Sequence, residues 1–288
     1  MSSLNEKIQT GSVLRQLRIL QKTVSFAKPY GAYNFDDWCL TLSPIALWTL
    51  RGETWDTNLG SLAADAVSPM TQVSAGEQLL GESLLGFAEN VVLAEGAFGL
   101  TSAVNTKLGA VGYESFSMCC VVDPLYSMYG VDDVRLVCGK VNPSTFELEH
   151  GIVVFGTGQA GAVYRGAVVS SLQFDGDGLL AYSYSSSQKT VNLYVAGATA
   201  SPGADLAPMP AVGSINTELF VGSYLHGGAQ YSLSVDGAPA LPFVGRMEGA
   251  SFFYGEGSSL DFNRLHLMKS LRTFFMPKFD EDIAPVAY

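Results

Sequence analysis

From residue 46 onward, apolar and polar residues alternate in short runs, each bounded by Gly, Pro, Asn or Asp. The runs are ALWTL, VVLA, FSMCCVV, VRLVCG, FELE, IVVFG, AVYRGAVVSSLQF, LLAYSYSS, VNLYVAG, ELFVGSY, YSLSV and ASFFYG. About a dozen short segments with turn signals between them predict an all-β chain folded as an antiparallel sandwich or jelly roll. In VNLYVAG, Val191, Leu193 and Val195 alternate with Asn192, Tyr194 and Ala196, the pattern of a half-buried strand. Phe174-Asp175-Gly176-Asp177-Gly178-Leu179 predicts a hairpin turn, because glycine supplies the positive φ that such loops require. Ser234-Val235-Asp236-Gly237-Ala238-Pro239 predicts another of the same type. Residues 201–211, SPGADLAPMPA, read as a Pro-rich loop.

The period differs before residue 46. Over residues 4–27, Leu14, Leu17, Ile19, Leu20 and Val24 fall largely on one side, with Arg15, Arg18 and Lys22 opposite. That spacing predicts an amphipathic helix, with Ser12 as a candidate N-cap and Pro29 as its stop. Residues 30–45 read as an aromatic-rich extended connector. Residues 1–45 therefore form an N-terminal helical arm. Its assembly face, Leu14, Leu17, Leu20 and Val24, docks either on the sandwich or on a neighbouring subunit. The sandwich is assigned to residues 46–276 and an acidic tail to residues 277–288. LDFNRLHLMKSLRTFF, near the end, fits a short helix or a final strand.

Composition narrows the function. The chain of 288 residues is 48 % hydrophobic and 15 % charged, which supplies a packed core and little signature of disorder. A formal net charge of −11 without a basic stripe repels phosphate, so neither nucleic acid nor an anionic membrane surface is an expected partner. No apolar run reaches the ~18 residues of a membrane-spanning helix. The polar start MSSLNEKIQTGS lacks the apolar stretch of a secretory signal, so synthesis in a cytoplasm without a cleaved leader is expected. Cys39, Cys119, Cys120 and Cys138 show no CxxC spacing and are expected as buried free thiols.

Three segments, in order, resemble the laminin-G-like, concanavalin A-like jelly roll. Ser115-Phe116-Ser117-Met118 leading to Val121 and Val122 is similar to that family's "sf-ti--Wv" strand. VNLYVAGATA at 191–200 resembles its "v-LYVdGv-va" strand, turn and strand. LFVGS at 219–223, followed by FVGRMEGASFFYGEGSSLDFNRL at 243–265, resembles "l-iG … f-G-id-v-iy…ls--ei". The match covers roughly residues 46–275. Cys119 or Cys120 stands where the family has its usual Trp, Ala196 where it often has Asp, and AQYSLSVDGAPAL is an added hairpin. The resemblance implies a fold that serves lectins, glycanases and structural modules alike.

The glycanase branch of that fold carries carboxylates two residues apart on one strand, so that acid and nucleophile flank one glycosidic bond. Glu147 and Glu149 are the closest counterpart, but a third carboxylate is missing, and no enzyme activity is expected. No cofactor is required. Calcium is the one ion left open, through Asp175 and Asp177 or Asp132 and Asp133, which supply only part of the six to eight oxygens it takes. His150, His226 and His266 are too scattered for a zinc site or a catalytic triad. GTGQAG at 156–161 lacks the Lys-Ser/Thr of a phosphate loop and reads as a plain loop. The remaining chemistry is aromatic. Tyr182, Tyr184, Tyr224, Tyr231 and Tyr254, with Phe253, lie near strand ends, where exposed rings can stack on a sugar face. Core filling is the plainer role for each ring.

These observations set the functional expectations. The first is a non-enzymatic structural or interaction protein of a virus particle, such as a tailed-bacteriophage decoration, spike, collar or tail-fibre component. It would be held by other virion proteins through residues 1–45 and would form a homo-oligomer. The alternative is a carbohydrate-binding module or lectin that recognises host surface polysaccharide. A glycanase ranks third.

Overall fold

The structure, a computed structural model, describes residues 39–40, 42–48, 50, 59–60, 71–72, 79–81, 91–94, 100–101, 115–174, 176, 178–195, 198–200, 206–207, 218–226 and 229–255. The predicted helix over residues 4–27, Asp175, Asp177, the segment LDFNRLHLMKSLRTFF and the acidic tail lie outside these residues.

The early strands are β1 (Ala46–Trp48), β2 (Thr71–Gln72), β3 (Leu79–Gly81), β4 (Val91–Ala94) and β5 (Leu100–Thr101). The central ones are β6 (Phe116–Pro124), β7 (Val134–Asn142), β8 (Glu147–Phe155), β9 (Gln159–Tyr164), β10 (Ala167–Gln173), β11 (Gly178–Ser185) and β12 (Thr190–Val195). Then come β13 (Ala198–Ala200), β14 (Glu218–Val221), β15 (Leu225–His226), β16 (Ala229–Gln230), β17 (Ser234–Val235), β18 (Ala238–Pro239), β19 (Leu241–Pro242) and β20 (Gly245–Tyr254).

Two eight-stranded sheets form the sandwich. The first runs β13-β12-β11-β6-β20-β4-β3, with β1 added on β20. The second runs β10-β9-β8-β7-β14-β5-β2, with β19 added on β7. All pairs are antiparallel except β19 on β7. The chain is thus an all-β antiparallel sandwich, as its periodicity predicts.

Alternation explains the layering. Phe116, Met118, Cys120 and Val122 on β6, Leu180, Tyr182 and Tyr184 on β11, and Val191, Leu193 and Val195 on β12 all join the core between the sheets. Ile152 and Val154 on β8 and Ala160, Ala162 and Tyr164 on β9 meet them from the second sheet. The opposite parity is covered as well. Cys39 packs with Leu47, Cys119, Val121, Leu179, Ala181, Tyr194 and Phe253 on the outer face of the first sheet. On the second, Leu233, Val235 and Ala240 of the added hairpin cover Leu136, Val153, Val163 and Phe220. All four cysteines are buried free thiols, and burial pushes those of Cys119 and Cys120 up.

Several local expectations change. The turn Asp236-Gly237 is present, with φ of 51° and 79°, and closes β17 on β18. AVYRGAVVSSLQF is two strands, because Arg165 and Gly166 adopt φ of 52° and 74° and fold β10 back on β9. FELE and IVVFG are one strand, β8. GTGQAG is a turn over residues 156–158 that leads into β9. Residues 174–179 are not a hairpin: β10 pairs with β9 in one sheet, whereas β11 pairs with β6 and β12 in the other. That segment carries the chain between sheets. A Gly-rich turn signal marks a change of direction but does not say which strands pair across it.

Candidate functional site

The predicted tyrosines separate by parity. Tyr182 and Tyr184 face the interior beside Leu180 and are buried. Tyr224 is buried under the second sheet, where its hydroxyl donates to the Glu218 carboxylate. Phe253 is buried on the outer face of the first sheet. Tyr254 sits in register with Phe116 on β6, which fixes its place on β20. A platform of loop rings is therefore not what Tyr182, Tyr184 and Tyr224 form. Strand alternation put them inside, and residues after β14 covered the third.

Tyr231 is 38 % exposed. Its ring stacks on Phe146, with centroids 4.2 Å apart and planes 21° from parallel, and Tyr224 meets it edge-on at 6.2 Å. Backbone geometry holds both partners. The Tyr231 amide donates to the Tyr224 carbonyl at 2.9 Å. Phe146 closes the β7–β8 turn with φ of 56°, an uncommon conformation for an aromatic residue. That turn is fastened by the Phe146 amide on the Asn142 carbonyl and the Ser144 amide on Asn142 Oδ1. Beside it, Arg165 Nε donates to Glu147 at 3.3 Å, with both side chains about a third exposed. The β17–β18 hairpin is pinned to the β9–β10 turn by the Asp236 amide on the Gly166 carbonyl and by the Val168 amide on Asp236 Oδ1. The outer face thus carries an aromatic stack with a charged pair next to it.

Glu147 and Glu149 do not make an open carboxylate pair. Glu147 is engaged by Arg165 at the surface, while Glu149, 4 % exposed, has its Oε2 2.9 Å from Lys140 Nζ inside the sandwich. Asp133 is likewise engaged, by the Arg135 guanidinium. Among the described residues no cluster of three or more His, Cys, Asp or Glu side chains is placed to hold a metal ion.

The interior holds what the sequence reading missed. Lys140 and His150 are both fully buried and directly opposite each other in the β7–β8 ladder. His150 lies among four aromatic rings: Phe116 stacks on it at 5.2 Å, and Tyr164, Tyr182 and Tyr184 surround it at 5.2–5.7 Å. Its Nδ1 shares a 2.8 Å hydrogen bond with the Tyr182 hydroxyl, and its Nε2 has no hydrogen-bond partner among the described residues. Burial, helped by the nearby Lys140 charge, holds its pKa well below the ordinary value, so the ring is neutral. The Lys140 ammonium also stands 5.7 Å from the Phe116 ring centroid. In the same core Cys138 Sγ lies 3.9 Å from both Met118 Sδ and Cys120 Sγ. A lysine at the inward parity of VRLVCGKVN was the available signal, since strand interiors rarely accept one without a partner.

No protein-family model matches the chain, and no curated protein resembles it in sequence. Solved structures do resemble it. Domain 4 of AbnA, a GH43 extracellular arabinanase from Geobacillus stearothermophilus, in complex with arabinotriose, superposes with a TM-score of 0.52 and 13 % identity, over 78 % of this chain and 98 % of that one. Trypanosoma rangeli sialidase in complex with 2,3-difluorosialic acid gives a TM-score of 0.52 at 12 % identity, over 93 % of this chain. The match spans 40 % of the sialidase, well under half its length. At such identities the likeness is one of fold: the chain shares its β-sandwich with domains of glycan-processing proteins.

Proposed function

We propose that the chain is a non-enzymatic binding domain that recognises carbohydrate through the face carrying Tyr231 and Phe146. The observation that carries this reading is the exposed ring of Tyr231, backed by Phe146 and neighboured by Glu147 and Arg165. An aromatic face accepts the C–H side of a sugar ring, and polar groups at its edge meet the hydroxyls. Support comes also from the fold, since the similar arabinanase domain is seen with arabinotriose. The non-catalytic part rests on Glu147 and Glu149, each held by a separate cation and one of them enclosed.

A glycan array probed with the intact chain tests the proposal. Saturable binding to a defined oligosaccharide, weakened about tenfold in Tyr231→Ala and less in Phe146→Ala, is the expected result. Silence across neutral and acidic glycans, or binding indifferent to both substitutions, overturns it. Release of reducing sugar from the bound glycan overturns the non-catalytic part.

The particle setting expected from the sequence is kept as part of the proposal. One stacked ring gives weak affinity, and many copies held through residues 1–45 raise it by avidity. Removing residues 1–38, which leaves the packed Cys39 and Ile45 in place, should abolish co-sedimentation with particles while leaving glycan binding by the single domain unchanged.

A further inference from the structure

We propose that Lys140 and Glu149 condense into a side-chain amide, a covalent cross-link between β7 and β8 inside the sandwich. Three observations converge on this pair.

The first is approach. Lys140 Nζ lies 2.9 Å from Glu149 Oε2 on the adjacent strand. Neither atom is aligned as a hydrogen bond, although both are shut off from solvent. The carboxyl carbon is bonded to Oε2. Nζ is therefore less than one bond length beyond the ~3–3.5 Å separation from which a nucleophile attacks.

The second is environment. Lys140 is fully buried and Glu149 nearly so, against the Phe116 ring. Holding an ammonium and a carboxylate in a dry interior costs several kcal/mol per ion, on the order of the attraction between them. Moving one proton from Nζ to the carboxylate gives an amine and a carboxylic acid, the uncharged pair that can react. The amide then removes both charges from the core.

The third is a proton carrier. His150 faces Lys140 across the ladder, is neutral, and has Nε2 without a hydrogen-bond partner. In the reaction the Nζ lone pair forms the bond to the Glu149 carboxyl carbon, and Nζ gives up a proton as it does so. One carbon–oxygen bond breaks, and the departing hydroxyl takes that proton and leaves as water. No oxidant or other reactant is needed. An imidazole on the residue opposite Lys140, near enough to feel its charge, offers a route for that proton.

The intact mass of the folded, purified full-length chain decides the matter. The expected mass is that of the sequence less one water molecule. Trypsin acting on the unfolded protein should then release residues 136–165 as one piece, uncut after Lys140 and lighter by that same water. Glu149→Gln should close the same link with loss of ammonia, and Lys140→Arg should keep its full mass. An unmodified chain of full mass that trypsin cuts after Lys140 overturns the proposal, as does a water loss that maps to any other peptide. Because the mass of the unaltered protein is decisive by itself, a variant that fails to fold leaves the test intact.

Discussion

The Tyr182 hydroxyl and His150 Nδ1 meet at 2.8 Å between the two layers of the sandwich, so a buried hydrogen bond ties one sheet to the other. Tyr182 comes from β11 of the first sheet and His150 from β8 of the second. Replacing Tyr182 by Phe keeps the ring and leaves a buried imidazole nitrogen unpaired. The expected cost is ~1–3 kcal/mol of stability. Denaturant unfolding of Tyr182→Phe checks it, and glycan binding should be unaffected.

His150 makes stability depend on pH. Its folded pKa lies well below 6.5, so the unfolded chain takes up a proton that the folded chain refuses. Stability from this group is therefore complete above the unfolded value and declines as pH falls toward the folded one. For one proton the slope approaches ~1.4 kcal/mol per pH unit. In unfolding measured from neutral pH downward, His150→Gln should show a shallower acid decline than the parent. Parallel curves would mean that His150 is not the group responsible.

Binding and stability should separate between two neighbouring rings. Tyr231→Ala is expected to weaken glycan affinity by about tenfold, consistent with ~0.5–1.5 kcal/mol for a stacked ring, and to change stability little. Tyr224→Phe, which strips the buried hydroxyl from the Glu218 carboxylate, should do the reverse. Calorimetric titration with the array hit and thermal unfolding of both variants give the two readings.

Gly156 is needed for a close backbone approach. A Cβ there would stand 1.8 Å from the Gly130 carbonyl oxygen, and the Gly156 amide donates to the Asp133 carbonyl at 3.0 Å. Gly156→Ala should therefore destabilise the fold by at least ~1–3 kcal/mol. A Cβ on Gly176 would meet nothing within 4 Å among the described residues, so Gly176→Ala serves as the neutral control. Equal unfolding midpoints for the two variants would contradict the close approach.

What could be read from the sequence follows from which interactions are local. Strand runs such as FSMCCVV and VNLYVAG were legible, because alternation and turn residues lie within a few positions. The turn at Arg165-Gly166 was missed, since a positive φ at arginine leaves no mark in composition. Tyrosines near strand ends could be read as exposed or buried, and only the facing sheet decided for Tyr182 and Tyr184. Of the four predicted tyrosines whose side chains are described, Tyr231 is the one placed with its ring partly in solvent. Its partner Phe146 was invisible, because the contact joins residues far apart in the chain. Histidine spacing was likewise the wrong test for His150, whose neighbours come from other strands.

The β7–β8 ladder, in which Lys140 faces His150, shifts register between Lys140 and Val141. Leu148 pairs with Val141 and His150 with Lys140, two adjacent residues of β7, so Glu149 is surplus to the ladder. A chain lacking Glu149 would retain each of these cross-strand partners and the inward placing of His150. Single-residue deletions inside a strand ordinarily turn every later side chain over; here one could be absorbed without a change of frame. The Glu149 carbonyl still accepts from the Arg165 amide at 3.0 Å, and what the extra position adds toward β7 is its carboxylate, set beside the buried amine of Lys140.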